Sequence, residues 1–165
     1  MSDLISIRAI QPDDQAWIKN IVSEHFGSAL IISRGTLHDT QELPGLVALN
    51  AGQRVGLLHY YIENAQCEIV TIISLNTGKG IGHKLLETVK VIARKANCKR
   101  VWLITTNDNL AAQHFYQHVG WEQVAIHKNA ILEARKRKPE IPQFGENEIP
   151  IRDEIEFEWS LGGNK

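Results

Sequence analysis

The chain has 165 residues, a formal net charge of −1, and 43% hydrophobic against 22% charged residues. This is the composition of an ordinary soluble globule of one domain, residues 1–165, with no global pull toward nucleic acid or an anionic membrane. No apolar run approaches the roughly 20 residues that span a bilayer, and the first residues lack the basic and apolar regions of a signal peptide. Cys67 and Cys98 have no metal or redox spacing, so the expected setting is a reducing cytoplasm with free thiols.

Residues 4–10 alternate apolar and polar side chains, as a strand does. Pro12, Asp13 and Asp14 open a helix to about residue 26, with Ala16, Trp17, Ile21 and Val22 inward and Gly27 as its C-cap. Residues 29–33 read as a short strand. Residues 34–45 read as a loop punctuated by Gly35, His38, Asp39 and Pro44. Strands over 46–50 and 54–63 form a hairpin around Ala51-Gly52, and Asn64-Ala65 turns the chain into a strand over 67–75. A helix then runs to about residue 96, followed by a buried strand over 101–105. Asn107, Asp108 and Asn109 cap a helix over 110–119 that Gly120 closes. A strand over 121–128, a short helix over 130–138, an irregular proline-rich stretch over 139–150 and a last strand over 151–161 complete the chain. His59 alternates with Val55, Leu57 and Tyr61 and reads as a satisfied sheet histidine. The basic run 135–138 reads as the last turn of its helix, and Asp153, Glu154, Glu156 and Glu158 as a polar edge face or an acidic rim. The histidines show no ligand spacing, so no metal is expected. Strands 69–75 and 101–105 are apolar on both faces and belong at the centre of a mixed, twisted α/β sheet with helices on both faces.

The most informative stretch is the junction of the strand over 67–75 with the following helix. Gly78, Gly80 and Gly82 mark a tight turn. Ile81, Leu85, Leu86, Val89, Ile92 and Ala93 then recur at helical spacing. Glycines let backbone approach a ligand closely. The unpaired amides and the positive dipole end of the helix form an anion site, usually for phosphate. A P-loop is excluded, because Lys84 is followed by Leu85 rather than Ser or Thr. A dinucleotide fingerprint fails because its third glycine comes one residue early and the motif lies mid-chain.

The turn resembles motif A of the GNAT superfamily of N-acetyltransferases, [QR]-x-x-G-x-[GA], at Gly80 and Gly82; its first position falls on Thr77, where the family prefers Gln or Arg. Glu68-Ile69-Val70 resembles a family segment whose glutamate is the general base. Asn109, Ala112, Phe115, Tyr116, Gly120 and Trp121 match motif B, N-x-x-A-x-x-[LF]-Y-x-x-x-G-[FW], at every marked position. The resemblance spans about residues 6–120 and implies the GNAT fold, with acetyl-CoA as acetyl donor and no metal. It further implies cofactor contacts from Thr77, Gly78, Lys79, Gly80, Ile81, Gly82 and His83, with Asn109 on the pantetheine arm. Ile72 or Ile73 would supply a backbone oxyanion donor, Glu68 the base that deprotonates the amine, and Tyr116 the acid that protonates the leaving thiolate. The acceptor pocket would lie between residues 26–45 and 129–150, the second expected to form a distinctive lid or partner surface. The expected acceptor is a small-molecule amine or amino acid, and a homodimer is a compatible assembly. The rivals are a protein lysine or N-terminal acetyltransferase, on the strength of Glu68-Ile69-Val70, and a CoA-binding sensor without turnover, which Thr77 and His83 motivate.

Overall fold

The computed structural model describes residues 4–76 and 79–162. In chain order its elements are β1 (Ile5–Ala9), α1 (Gln15–Phe26), β2 (Leu30–Ser33), β3 (Thr36–Asp39), β4 (Gly45–Asn50), β5 (Gln53–Glu63), β6 (Gln66–Ser74), α2 (Ile81–Lys95), β7 (Arg100–Thr106), α3 (Leu110–His118), β8 (Glu122–His127), α4 (Ala130–Arg137) and β9 (Glu154–Ser160). Seven strands form one sheet in the order β1-β4-β5-β6-β7-β9-β8, and β2 and β3 pair separately. The pairing is antiparallel except between β6 and β7, which run parallel because α2 carries the chain back between them.

The mixed sheet with helices on both faces agrees with the expectation from the sequence. One face packs against α2 through Ile81, Leu85, Leu86, Val89 and Ala93, and this cluster takes in Ile69, Leu103, Tyr116 and Phe157. The other face, toward α1, is a smaller cluster of Ile18, Ile21 and Val22 on Val47, Leu57 and Ile73. Ile18 therefore takes the inward place expected of Ala16, which is exposed: the buried stripe follows i, i+3, i+4 from residue 18. Gly27 caps α1 in the left-handed region, as its position predicts.

Two segments differ from the sequence expectation. Residues 34–45 are not simply a loop. Arg34 and Gly35 both take positive φ, which turns β2 directly into β3. The last strand begins at Glu154, and β9 is not an edge: it lies between β7 and β8. Its carboxylates are paired rather than solvated, Glu154 and Glu156 buried and Glu158 half-buried. Glu156 meets Arg100 and His127, Glu158 meets Arg100, and Glu154 meets Arg34. The stretch 139–150 is irregular, as expected, and is pinned to its surroundings. Arg135 donates to the carbonyls of Ile141, Pro142 and Ile151, and Glu146 N–H donates to Asp108. A Cβ on Gly145 would overlap the Asp108 carboxylate, so this close approach requires glycine.

The start of α1 is fixed by a buried charge. Asp14 is fully buried and accepts from Arg8, at 2.7 and 2.9 Å, from Arg54 at 2.9 Å, and from the Gln11 amide at 2.7 Å. The Arg8 hydrogen bond leads the effects that hold its carboxyl well below the usual range, with the Gln11 amide and Arg54 adding to it against the opposing cost of burial. Removing one partner of a wholly buried pair costs about 3–5 kcal/mol. Arg8 and Arg54 keep 30% and 33% of their side chains exposed and can turn to water. Asp14→Asn is therefore expected to cost about 2–3 kcal/mol at pH 7 by urea unfolding. Because the folded-state pKa lies below the unfolded value of about 3.9, this contribution is present above that pH and fades as pH falls further toward the folded value. The gap between wild type and variant should narrow in the same order.

Candidate active site

Two features of β6 create the site. Opposite β5, His59 pairs with Thr71 and Tyr60 with Ile69, which leaves Val70 as a β-bulge. The bulge puts Glu68 on the same face of the sheet as Thr71 and Ile73, toward α1. On its other side β6 pairs with β7 only from Gln66↔Arg100 to Ile69↔Leu103. Beyond that point the strands part, although β6 runs on to Ser74 and β7 to Thr106. Leu75 N–H donates to Val55 O at 2.8 Å. Strand alternation then turns Ile73 N–H toward β5 and Ile72 N–H away from it, into the split. Of the two amides expected as oxyanion donors, Ile72 has this direction, whereas Ile73 belongs to the α1-side core.

Above the split lies the anion site. Gly80 caps α2 with φ 74°, and nothing lies within 4 Å of a Cβ built on it. Lys84 N–H closes the first helical hydrogen bond to Gly80 O at 3.0 Å, which leaves the amides of Ile81, Gly82 and His83 without helical partners. Gly82 faces Phe115 of α3, 3.5 Å from where its Cβ would be. Lys79 and His83 are exposed on either side. Thr77 and Gly78 lie outside the described residues.

The motif B residues divide between two roles. Asn109 is the N-cap of α3, accepting from Ala112 N–H at 3.1 Å, and it also lines the cleft described below. Tyr116 is packed in the α2-side core against Phe115, Trp121 and Phe157 at ring separations of 5.4, 6.0 and 5.6 Å. Burial pushes its phenol pKa up, so it stays protonated.

On the α1 side of the split is a cleft of about 530 Å³, floored by Glu68, Ile69, Val70, Ile104 and Thr105. Its walls come from the end of α1, from β2, from α4 and from residues 140–142 and 151. Sequence reasoning missed how Glu68 is held. Ser33 Oγ donates to it at 2.5 Å, and His38 Nε2 lies 3.4 Å away, so the β2–β3 hairpin closes over the carboxylate. The pairing joins residues 35 apart in the chain, and no local pattern signals it. The basic run is spent on structure: Lys138 Nζ donates to Phe26 O and Leu30 O at 2.7 and 2.6 Å, and Arg137 to Gly35 O at 2.8 Å. His59 is fully buried, with Nδ1 2.8 Å from Thr71 Oγ1. Burial lowers its pKa to about 4, so it is neutral at physiological pH, while Nε2 has no hydrogen-bond partner among the described residues. No group of three or more potential metal ligands occurs among the described residues, and no helix there is long and apolar enough to cross a membrane.

Residues 15–121 match the profile of the acetyltransferase (GNAT) family. The chain belongs to this family. Two proteins of Bacillus subtilis are similar over most of its length: YxbD, 42% identical over 83% of this chain and 89% of its own, and YdhI, 40% identical over 85% and 88%, both described as uncharacterized. Among solved structures, a GNAT family acetyltransferase from Elizabethkingia anophelis with acetyl-CoA bound superposes with a TM-score of 0.72 at 20% identity, over 97% of this chain and 100% of that one. That likeness shows the fold. In this GNAT acetyltransferase β6, which carries the buried Glu68, parts from β7 on its way to the start of α2.

Proposed function

We propose that this acetyltransferase moves the acetyl group of acetyl-CoA to the primary amine of a small molecule with an apolar body. One observation carries the reading: β6 and β7 part toward the end of β6 that leads into the amide-rich start of α2, and the cleft that contains Glu68 is floored by residues of both strands at that parting. The residues fit the donor. Free amides at Ile81, Gly82 and His83, an unobstructed Gly80 and the adjacent Lys79 suit a diphosphate, and the split suits a narrow pantetheine arm beside Asn109. Bound there, acetyl-CoA supplies an activated acetyl thioester.

Each residue then has one task. Glu68, on the acceptor face, takes the proton of the incoming ammonium, directly or through one water. Ile72 N–H, aimed into the split, stabilises negative charge on the carbonyl oxygen. Tyr116, on the α2 face, gives a proton to the departing sulfur. Dry surroundings raise the phenol pKa and also raise a thiolate's proton affinity, so burial does not prevent that transfer. Base and acid thus work from opposite sides of the sheet, and neither interferes with the other.

The cleft also indicates the acceptor. Its volume falls within the roughly 300–1,000 Å³ usual for small-molecule sites. Phe26, Ile31, Ile104, Ile131, Ile141 and Ile151 give it apolar walls. Glu24, Glu68, Glu140 and Glu154 also line it, while its lysine, Lys138, is already committed to two carbonyls. Burial further lowers the pKa of Lys138. A cationic amine is attracted, and a carboxylate on the acceptor is repelled. Release of free thiol from acetyl-CoA should be at least about tenfold more efficient, in kcat/KM, with alkylamines and arylalkylamines than with free amino acids. Turnover on peptides alone, or binding with no turnover on any amine, would overturn the assignment.

A further inference from the structure

His38 is a buried histidine that the reaction as described does not use. It is 5% exposed, its Nε2 has no hydrogen-bond partner among the described residues, and that nitrogen is 3.4 Å from Glu68 Oε1. Its ring packs edge-on against Tyr61, with centroids 5.2 Å apart. On the side of Glu68 remote from the β6–β7 split is a second cavity of about 160 Å³, polar and open to solvent, whose wall includes His38. Glu68 and Ser33 line both this cavity and the acceptor cleft. Glu68 is therefore a partition, with the acceptor on one side and an outlet on the other. The charged and titratable groups that face His38 across the outer cavity are Glu68 of β6, Tyr61 and Glu63 of β5, and Arg34 of the β2–β3 turn.

An alkylammonium acceptor makes an outlet necessary. The balanced reaction converts R–NH3⁺ and an acetyl thioester into an acetamide, a free thiol and one H⁺. If Glu68 takes the ammonium proton, as proposed above, it must lose that proton before the next turnover, and it is buried. We propose that His38 carries this proton from Glu68 to solvent through the outer cavity. Nε2 accepts the proton from the Glu68 carboxyl, the imidazolium forms, the other ring nitrogen releases its proton to water, and proton exchange with water of the outer cavity returns the ring to its starting tautomer before the next turnover. Ser33 keeps Glu68 oriented by donating to Oε2, which leaves Oε1 turned to His38. The sequence hides the device, since His38 sits among turn residues far along the chain from Glu68.

The test compares two acceptors of the same body at pH 7: a primary alkylamine, which is an ammonium ion, and the matching acyl hydrazide, which is already neutral and exports no proton. His38→Gln should lower kcat for the alkylamine about tenfold or more and leave the hydrazide within about twofold. His38→Ala should behave likewise and recover with added imidazole. Rates are expressed per chain able to bind acetyl-CoA, so misfolded material does not count. Equal losses on both acceptors, or no loss on either, would overturn the relay. Glu68→Gln separates this from failure of the base assignment. If that variant also loses only the alkylamine reaction while His38→Gln does not, the relay alone is wrong. If Glu68→Gln affects neither acceptor, the base assignment fails and the relay with it.

Discussion

Glu68→Gln lowers kcat for a primary alkylamine about a thousandfold at pH 7, within the roughly 10²–10⁴-fold span of general-base contributions. With a pKa near 10.4, such an amine is neutral in only about one molecule in a few thousand at pH 7. An enzyme that strips the proton on site works on the whole population, whereas a variant without a base must wait for the rare neutral form. Activity of Glu68→Gln should therefore climb about tenfold per pH unit, and the deficit should close as pH approaches the amine's own pKa. The fold should survive, because glutamine matches the shape of glutamate and its carbonyl can still accept from Ser33 Oγ. The measurement is kcat from pH 6 to 10.5 alongside the thermal midpoint. A pH profile that overlays wild type would place the base elsewhere.

Tyr116→Phe lowers kcat about a hundredfold, for the opposite end of the reaction. The substitution deletes one oxygen and keeps the ring that fills the space between Phe115, Trp121 and Phe157. Acetyl-CoA binding and the thermal midpoint should both stay near wild type, so the loss falls on the chemical step. Because burial raises the phenol pKa, wild-type activity should show no decline from phenol ionisation up to about pH 10, the pKa of an ordinary tyrosine. Unchanged kcat in this variant would leave Tyr116 as a core aromatic and no more.

The local parts of this site were legible in the sequence. A glycine that must take positive φ, followed by helical periodicity, marks Gly80 and α2, and an asparagine before a helix marks Asn109, because both signals rest on a few neighbouring residues. The buried central strands were legible from apolar runs on both faces. What escaped depends on distant pairing. Nothing near Val70 announces a bulge, which exists only relative to β5. The acidic alternation of Glu154, Glu156 and Glu158 reads as a solvated edge until Arg100, Arg34 and His127 are brought beside it by β9 entering between β7 and β8. The short β3 is hidden by the turn-forming residues around it. With it went the contacts of Ser33 and His38 to Glu68.

The central claim is that the start of α2 and the β6–β7 split together hold acetyl-CoA. Equilibrium dialysis of the folded wild-type chain against labelled acetyl-CoA tests it without reference to any acceptor. Saturable binding at one site per chain, displaced by unlabelled CoA, is the predicted result. Folded protein that retains no label at any concentration would contradict the donor site, and with it the roles assigned to Ile72, Tyr116 and Glu68.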